Sequence, residues 1–365
     1  MSQTSVPKIL HDRGVISRYR EFLPVSDATP VVSLNEGSTP LIHVPKLSAL
    51  AGAQRQVFIK YEGLNPTCSF KDRGMTLAIS KAAEEGAKMV ICASTGNTSA
   101  AAAAYAVRAG MRCVVLLPAG KISMGKLAQA VVYGADVVAI DGNFDDALEL
   151  VRELGQRDGI AVVNSINPFR IEGQKTASFE VIDELGDAPT VHCLPVGNAG
   201  NITAYWKGYR EYHLAGKSSA LPMVWGAQAE GAAPIVRGEV VTNPETVATA
   251  IRIGNPASWK GANEAIEQSG GMIRALSDDK LLEAQAWLAA NEGIFVEPAS
   301  AASVGCLLAA IDEGLVAKLP DTATVVCTVT GHGLKDIDTP MEFAGGGKIL
   351  EAGASADSVL GVLGM

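Results

Sequence analysis

A chemical reading of this chain starts at Lys71. It closes the run Asn65-Pro66-Thr67-Cys68-Ser69-Phe70-Lys71 and is followed by Asp72-Arg73-Gly74. A proline turn followed by an acidic residue predicts a helix opening with Asp72, with Lys71 just ahead of its N-terminus. A cation in that place opposes the helix dipole, so the setting favours the neutral amine. The neutral amine is the form that makes an imine with a carbonyl. Alone, a lysine beside an aspartate is more often a solvated surface pair. Lys71 gains meaning from what accompanies it.

Two other segments accompany it. Ser94-Thr95-Gly96-Asn97-Thr98-Ser99 lies between an apolar run and an alanine-rich one. Such a stretch can simply cap a helix. It can also hold a carboxylate with its hydroxyls and free backbone N–H groups. Gly197-Asn198-Ala199-Gly200-Asn201 occupies the same kind of position further along. Its glycines admit close approach of a ligand to the backbone, and the first helical turn offers N–H donors to a phosphate. Its spacing matches neither the dinucleotide fingerprint nor the Walker loop. An imine-forming lysine, a phosphate cradle and a hydroxyl-rich anion loop together describe a site for pyridoxal 5′-phosphate (PLP) and an amino acid.

The elements that must position these segments alternate. Strand-like runs fall at 57–62, 89–94, 112–118, 136–141, 161–164, 191–196 and 324–328. Between and after them, helical spacing appears at 73–85, 99–108, 124–133, 144–157, 171–185, 202–214, 278–291 and 299–313. Apolar strands alternating with helices predict an α/β fold of mostly parallel, twisted sheets flanked by helices. Ligands in such folds collect where strand C-termini meet helix N-termini. The compact run of alternating units predicts two lobes. Residues 76–164 form a smaller, mobile lobe carrying the 94–99 loop, and 1–75 with 165–365 form a larger lobe anchoring PLP.

Composition narrows the function classes. The net charge is −9 with no basic block, which argues against nucleic acid as a partner. Cys68, Cys92, Cys113, Cys193, Cys306 and Cys327 include no C-x-x-C pair, and four of them sit in apolar strand-like runs. They read as reduced core thiols of a cytoplasmic protein. Charges run through the first 23 residues, leaving no signal-type apolar stretch. Long apolar runs are broken by Gly, Pro or charge, so no membrane span is expected. His11, His43, His192, His213 and His332 lack Cys or acid partners at ligand spacing, and no metal is expected.

The three segments, with Glu36-Gly37-Ser38-Thr39-Pro40-Leu41, the stretches 163–174, 194–205 and 297–303, and Thr328-Val329-Thr330-Gly331, resemble a known family. It is the tryptophan-synthase-β-like, fold-type II PLP family, and within it the threonine synthases of the shorter bacterial kind. The resemblance covers nearly the whole chain. Cysteine synthases usually read S-V-K-D-R at the lysine, and dehydratases and racemases commonly carry an all-glycine phosphate loop. The chain ends soon after Thr330, leaving no room for a regulatory amino-acid-binding domain.

The resemblance implies a two-lobed fold and roles residue by residue. Lys71 holds PLP as a Schiff base and moves protons. Asn97 hydrogen-bonds the 3′-hydroxyl, Gly197, Asn198, Ala199, Gly200 and Asn201 hold the cofactor phosphate, and Thr330 faces the pyridine nitrogen. Ser94, Thr95 and Thr98 hold the substrate carboxylate. Asn164, Ser165 and Arg170, with Asn198, hold a second phosphate, that of O-phosphohomoserine. The reaction implied is β,γ-elimination of phosphate followed by hydration to threonine, carried out by a homodimer. A threonine or serine dehydratase, or another β-elimination or replacement enzyme of the same fold, is the alternative, and it needs no second phosphate site.

Overall fold

Runs of Val, Ile, Leu and Cys make ten strands: β1 Leu41–His43, β2 Gln56–Tyr61, β3 Met89–Ala93, β4 Arg112–Pro118, β5 Asp136–Ile140, β6 Ile160–Val162, β7 Val191–Pro195, β8 Met223–Ala229, β9 Met272–Leu276 and β10 Thr324–Val329. The computed structural model describes residues 14–52, 54–119, 124–346 and 349–364, with side chains 124–126 left aside. A six-stranded sheet runs β1-β2-β10-β7-β8-β9 and a four-stranded sheet runs β5-β4-β3-β6. All neighbours are parallel except β1, which runs antiparallel to β2. The smaller sheet is consecutive in sequence, whereas strands of the larger one come from both sides of it. Every residue of β7 is buried, as expected where helices cover both faces of a parallel sheet.

Several expectations need correction. The helix expected at 73–85 begins two residues earlier, as Lys71–Glu84, so Lys71 is its first residue rather than the one before it. The helix expected at 171–185 is two, Pro168–Gln174 and Thr176–Leu185, separated at Lys175. The first is started by Asn167, whose side chain accepts from Phe169 N, and by Pro168. Strands β1, β8 and β9 and the helix Trp259–Ser269 were not expected. β8 contains Gly226 and Gln228, and β9 contains Arg274, which breaks their apolar pattern. Packing supplies the reason for Gly226: a Cβ there would lie 2.8 Å from side-chain carbons of Ile273 and Val196.

The cysteines other than Cys68 are buried and free, and Cys68 is partly exposed. Among the described residues no cluster of His, Cys, Asp and Glu is placed to hold a metal, and no helix is long and apolar enough to cross a membrane. His11 lies outside the described residues. His192 is a core residue, with Nδ1 against Tyr209 Oη at 2.5 Å and Nε2 against Thr328 Oγ1 at 2.8 Å.

The two sheets meet around the Lys71–Glu84 helix, which packs against the Pro168–Gln174 and Asn97–Arg108 helices. Two glycines set the first crossing. A Cβ at Gly173 would fall 2.0 Å from Arg73 O, and one at Gly74 would fall 2.8 Å from Arg170 O. Backbone therefore lies on backbone. Beside the crossing, Arg73 is fully buried. It donates to Glu62 at 2.6 and 2.8 Å, to Glu180 at 2.8 and 2.6 Å, and to Thr39 at 3.1 Å. Lys60, also fully buried, adds bonds of 2.9 Å to Glu180 and 3.0 Å to Glu184. Burial alone would raise the Glu180 carboxyl, but Arg73 and Lys60 outweigh it and hold the group well below the carboxylate range.

Removing one partner of such a cluster leaves charges buried without compensation. Arg73→Ala is expected to lower unfolding free energy by about 3–5 kcal/mol in urea titration. Because the Glu180 pKa is depressed in the folded state, its contribution is present at neutral pH. It fades as pH falls below about 4, the unfolded carboxyl value. Urea titrations at pH 7 and at about pH 2 check both statements.

Candidate active site

The Lys71 loop is shaped by Asp72. Thr67 N donates to Asp72 Oδ2 at 2.6 Å, and the Thr67 hydroxyl donates to Oδ1. Burial pushes the Asp72 carboxyl up to about 7. Between the two, Cys68 takes a positive φ of 65°, a conformation uncommon outside glycine. The loop then lies on the segment after β10, with Phe70 N donating to Thr330 O at 2.9 Å and Ser69 bridging Gly331. The Lys71 amine sits over the Phe70 ring, 4.2 Å from its centre. Its pKa falls well below the usual lysine value, chiefly through burial and then through the charge of Arg170, while Glu297 acts in the opposite sense. The direction of the shift favours the neutral amine, the form that condenses with a carbonyl.

The 197–201 loop links β7 to the helix Gly200–Leu214. Ala199 stands at φ 62°, in the left-handed region where a Cβ costs about 1–2 kcal/mol. Non-glycine backbone is held that way where surrounding structure over-determines it. Gly197 is pressed against Ile251, and a Cβ there would lie 2.9 Å from Ile251 Cα. Asn198 accepts from Ala257 N at 3.0 Å and, through its backbone oxygen, from Ser258 N at 3.1 Å. The buried Nδ2 of Asn201 has no hydrogen-bond partner. A rigid loop, first-turn amides and an unanswered donor fit the phosphate of PLP.

Arg170, on the Pro168–Gln174 helix, is 2% exposed. One N–H of its guanidinium donates to Val163 O at 3.3 Å, and its Nε has no partner. It pairs with no carboxylate among the described residues. Burial lowers its pKa to about 10. A buried, unpaired guanidinium calls for an anion. Next to this helix, Ser165 Oγ accepts from Asn198 Nδ2 at 3.3 Å, joining the segment before Arg170 to the 197–201 loop.

The remaining expected residues divide. Asn164 exchanges two bonds with Ala93, accepting from its N–H at 3.0 Å and donating to its oxygen at 3.2 Å. This carboxamide ties the end of β3 to the residues after β6. Ser94 Oγ accepts from Gly96 N at 3.2 Å, and Thr95 and Thr98 are partly exposed beside it. Asn97, the first residue of its helix, donates to Glu297 at 3.0 and 3.2 Å. Thr330 Oγ1 lies 2.9 Å from Ser300 Oγ, which also accepts from Gly331 N at 2.7 Å. Glu297 and Ser300 were not singled out from their residue types. An acid before a proline-started helix reads as a cap, and 200 residues separate it from Asn97.

With this geometry in view, comparison with known proteins is informative. A family model described as pyridoxal-phosphate dependent enzyme matches residues 32–331. A protein of Synechocystis sp. named threonine synthase is 58% identical over 333 residues, covering 91% of this chain and 86% of that protein. One of Mycobacterium tuberculosis with the same name is 60% identical over 330 residues, covering 90% of each. Among solved structures, an L-serine ammonia-lyase from Rhizomucor miehei shares the fold at a TM-score of 0.73 and 22% identity, over 85% of this chain and 98% of that one.

The depressed Lys71 amine yields a direct test. Incubation with pyridoxal 5′-phosphate should give a visible absorption band, and borohydride should then fix the label on the peptide containing Lys71. Lys71→Ala should show neither. Label on another lysine would move the nucleophile elsewhere.

Proposed function

We infer the reaction from one premise: the chain belongs to the pyridoxal-phosphate dependent enzymes, and within them to the threonine synthases. It is a lyase that converts O-phospho-L-homoserine and water to L-threonine and phosphate, using PLP. The observation that carries the choice of substrate is Arg170, a buried guanidinium without a carboxylate, close enough to Lys71 to depress its pKa. The cofactor's own phosphate is served by the 197–201 loop. A second anion site is what a phosphorylated substrate requires and what a dehydratase does without.

When bound, PLP supplies an electron sink for negative charge developing on the substrate carbons. Lys71 would hold it through its amine, and that amine would take and return protons at the substrate. Asn97 donates to the ring oxygen. Thr330, backed by Ser300, offers the ring nitrogen a hydroxyl and no carboxylate, which disfavours its protonation. Gly197, Asn198, Ala199, Gly200 and Asn201 hold the cofactor phosphate. Ser94, Thr95 and Thr98 hold the substrate carboxylate. Arg170 binds the leaving phosphate with two parallel N–H bonds, aided by Ser165, Asn198 and the remaining N–H of Asn164. Residues 76–164 act as the smaller lobe and close over the substrate. The enzyme works as a homodimer in the cytoplasm, a setting that its buried free thiols suit.

Losing a charge-assisted contact to a buried anion costs about 2–5 kcal/mol. Arg170→Ala should lower kcat/KM for O-phosphohomoserine roughly 30- to several-thousand-fold while PLP stays bound. Arg170→Lys should recover part of the loss, keeping charge without the fork. Slow deamination of serine, which needs no substrate phosphate, should be little changed. Equal damage to both reactions, or loss of PLP, would return the dehydratase alternative.

A further inference from the structure

Glu297 stands where a capping residue belongs, immediately before the Pro298–Asp312 helix, yet its side chain makes no cap bond. An acid at that position ordinarily turns toward the free N–H groups of its own helix. Here the carboxyl turns away and crosses to the other sheet's elements, where both of its oxygens receive Asn97 Nδ2, at 3.0 and 3.2 Å. The fold makes room for it. A Cβ at Gly331 would lie 2.4 Å from Glu297 Oε1, so the residue after Thr330 has no side chain where the carboxylate passes. The backbone holds the pair in place, with Glu297 N donating to Gly331 O at 3.2 Å and Val296 bridged to His332.

Glu297 is 5% exposed and forms no ion pair among the described residues. Burial raises its carboxyl pKa, the Asn97 bond and the charges of Lys335 and Lys71 oppose the rise, and Asp336 adds to it. A buried carboxylate without a cation in contact is costly, so its placement calls for a task beyond stability. The task follows from what an amide can do. A carboxylate only accepts, so it must face the NH2 end of Asn97, which fixes which way that carboxamide points. One N–H is then engaged and the other is aimed. Without the carboxylate, the Asn97 amide is free to flip and present oxygen, an acceptor, to an anionic oxygen.

We propose that Glu297 is a positioning residue for the cofactor ring: it locks the Asn97 carboxamide so that its second N–H donates to the ring oxygen next to the Lys71 linkage. This rests on the PLP reading above and deepens it. Glu297 never touches the ring; it acts through Asn97, and it ties the start of the Asn97–Arg108 helix to the Thr330-Gly331 segment across the two sheets.

The test is a double-mutant cycle on PLP affinity, read by titrating the visible band of the Lys71-bound cofactor. Glu297→Gln should weaken PLP binding about tenfold or more, the loss expected for one hydrogen bond to a charged group. It should displace the absorption maximum and lower kcat more than it raises KM. In an Asn97→Ala background the same substitution should change affinity less than twofold, because the residue it acts through is gone. Glu297→Asp, tested alongside, keeps a carboxylate that only accepts, whereas Gln can turn either its oxygen or its NH2 to Asn97, and Asp should recover part of the affinity if the loss in Glu297→Gln is not misfolding. Thermal unfolding of the PLP-free proteins should be alike for wild type and Glu297→Gln. Equal losses in both backgrounds, or an unchanged band and affinity, overturn the proposal. A wild-type protein that takes up no PLP at all overturns the cofactor assignment itself, and this proposal with it.

Discussion

The site depends on one buried guanidinium. Arg73 is two residues beyond Lys71 on the same helix, and it binds Glu62 from the end of β2, Thr39 from the loop before β1, and Glu180 from the Thr176–Leu185 helix. These segments converge on Arg73 from three parts of the chain. None is close to another in sequence, so the helix start has no rotational freedom once they are in place. Lys60 brings a second positive charge and the part-exposed Glu184 a third carboxylate, so each buried charge of the cluster has an opposite charge in contact. Buried ion clusters of this kind contribute little net stability over an apolar core, and their use is to specify one arrangement. What this arrangement specifies is where the Lys71 amine lies.

Set against that compensated cluster, the neighbouring cations behave differently. Lys71 and Arg170 each lack a carboxylate in contact among the described residues, and burial depresses both pKa values. An acidic protein of net charge −9 thus buries one guanidinium, Arg170, with no carboxylate in contact among the described residues, near a lysine amine that burial drives toward its neutral form. Backbone conformation follows the same division. Four non-glycine residues have positive φ among the described residues: Asn35, Ser38, Cys68 and Ala199. Two flank the Glu36-Gly37 turn that feeds Thr39 to Arg73, one shapes the Lys71 loop, and one shapes the phosphate loop. Strain of this sort persists where the surroundings enforce it, and here it falls next to the Arg73 cluster, the Lys71 loop and the 197–201 loop.

Local signals account for most of what was legible in the sequence. Strands β2 to β7 and β10, the helical stretches after β2 to β7, and the helices near 278–291 and 299–313 were visible because apolar runs and helical spacing are local properties. Lys71, the 94–99 loop and the 197–201 loop stood out because small, hydroxyl and glycine residues cluster at strand-to-helix junctions. Strands β8 and β9 were missed because Gly226, Gln228 and Arg274 serve tertiary needs that interrupt the pattern. Gly226 lets Ile273 and Val196 approach, and Gln228 Oε1 caps the turn at Ile235 and Val236. The depth of Arg170 was equally invisible, since an arginine at a helix start reads as a surface residue until Gly74 and Gly173 bring two backbones together. Glu297 needed the fold as well, because its partner is on another sheet's helix.

That crossing of backbones explains why cofactor chemistry and substrate choice are mechanically joined. Gly74 is three residues from Lys71 and packs on Arg170, while Gly173 is three residues from Arg170 and packs on Arg73. The separation of the Lys71 and Arg170 backbones is therefore set by main-chain contact, which does not adjust by changing rotamers. Long side chains on flexible loops would let the second anion site drift by ångströms, and a misplacement of that size is enough to lose most of the benefit of orientation. Here the two helices are in backbone contact where the side chains of Lys71 and Arg170 begin. On the reading proposed above, an amino acid carrying a phosphate would meet both groups at once. A shorter unphosphorylated substrate leaves the buried guanidinium without an anion and gains nothing from it. On that reading, discrimination would come from an unanswered buried charge, with no need for a wall that excludes smaller substrates.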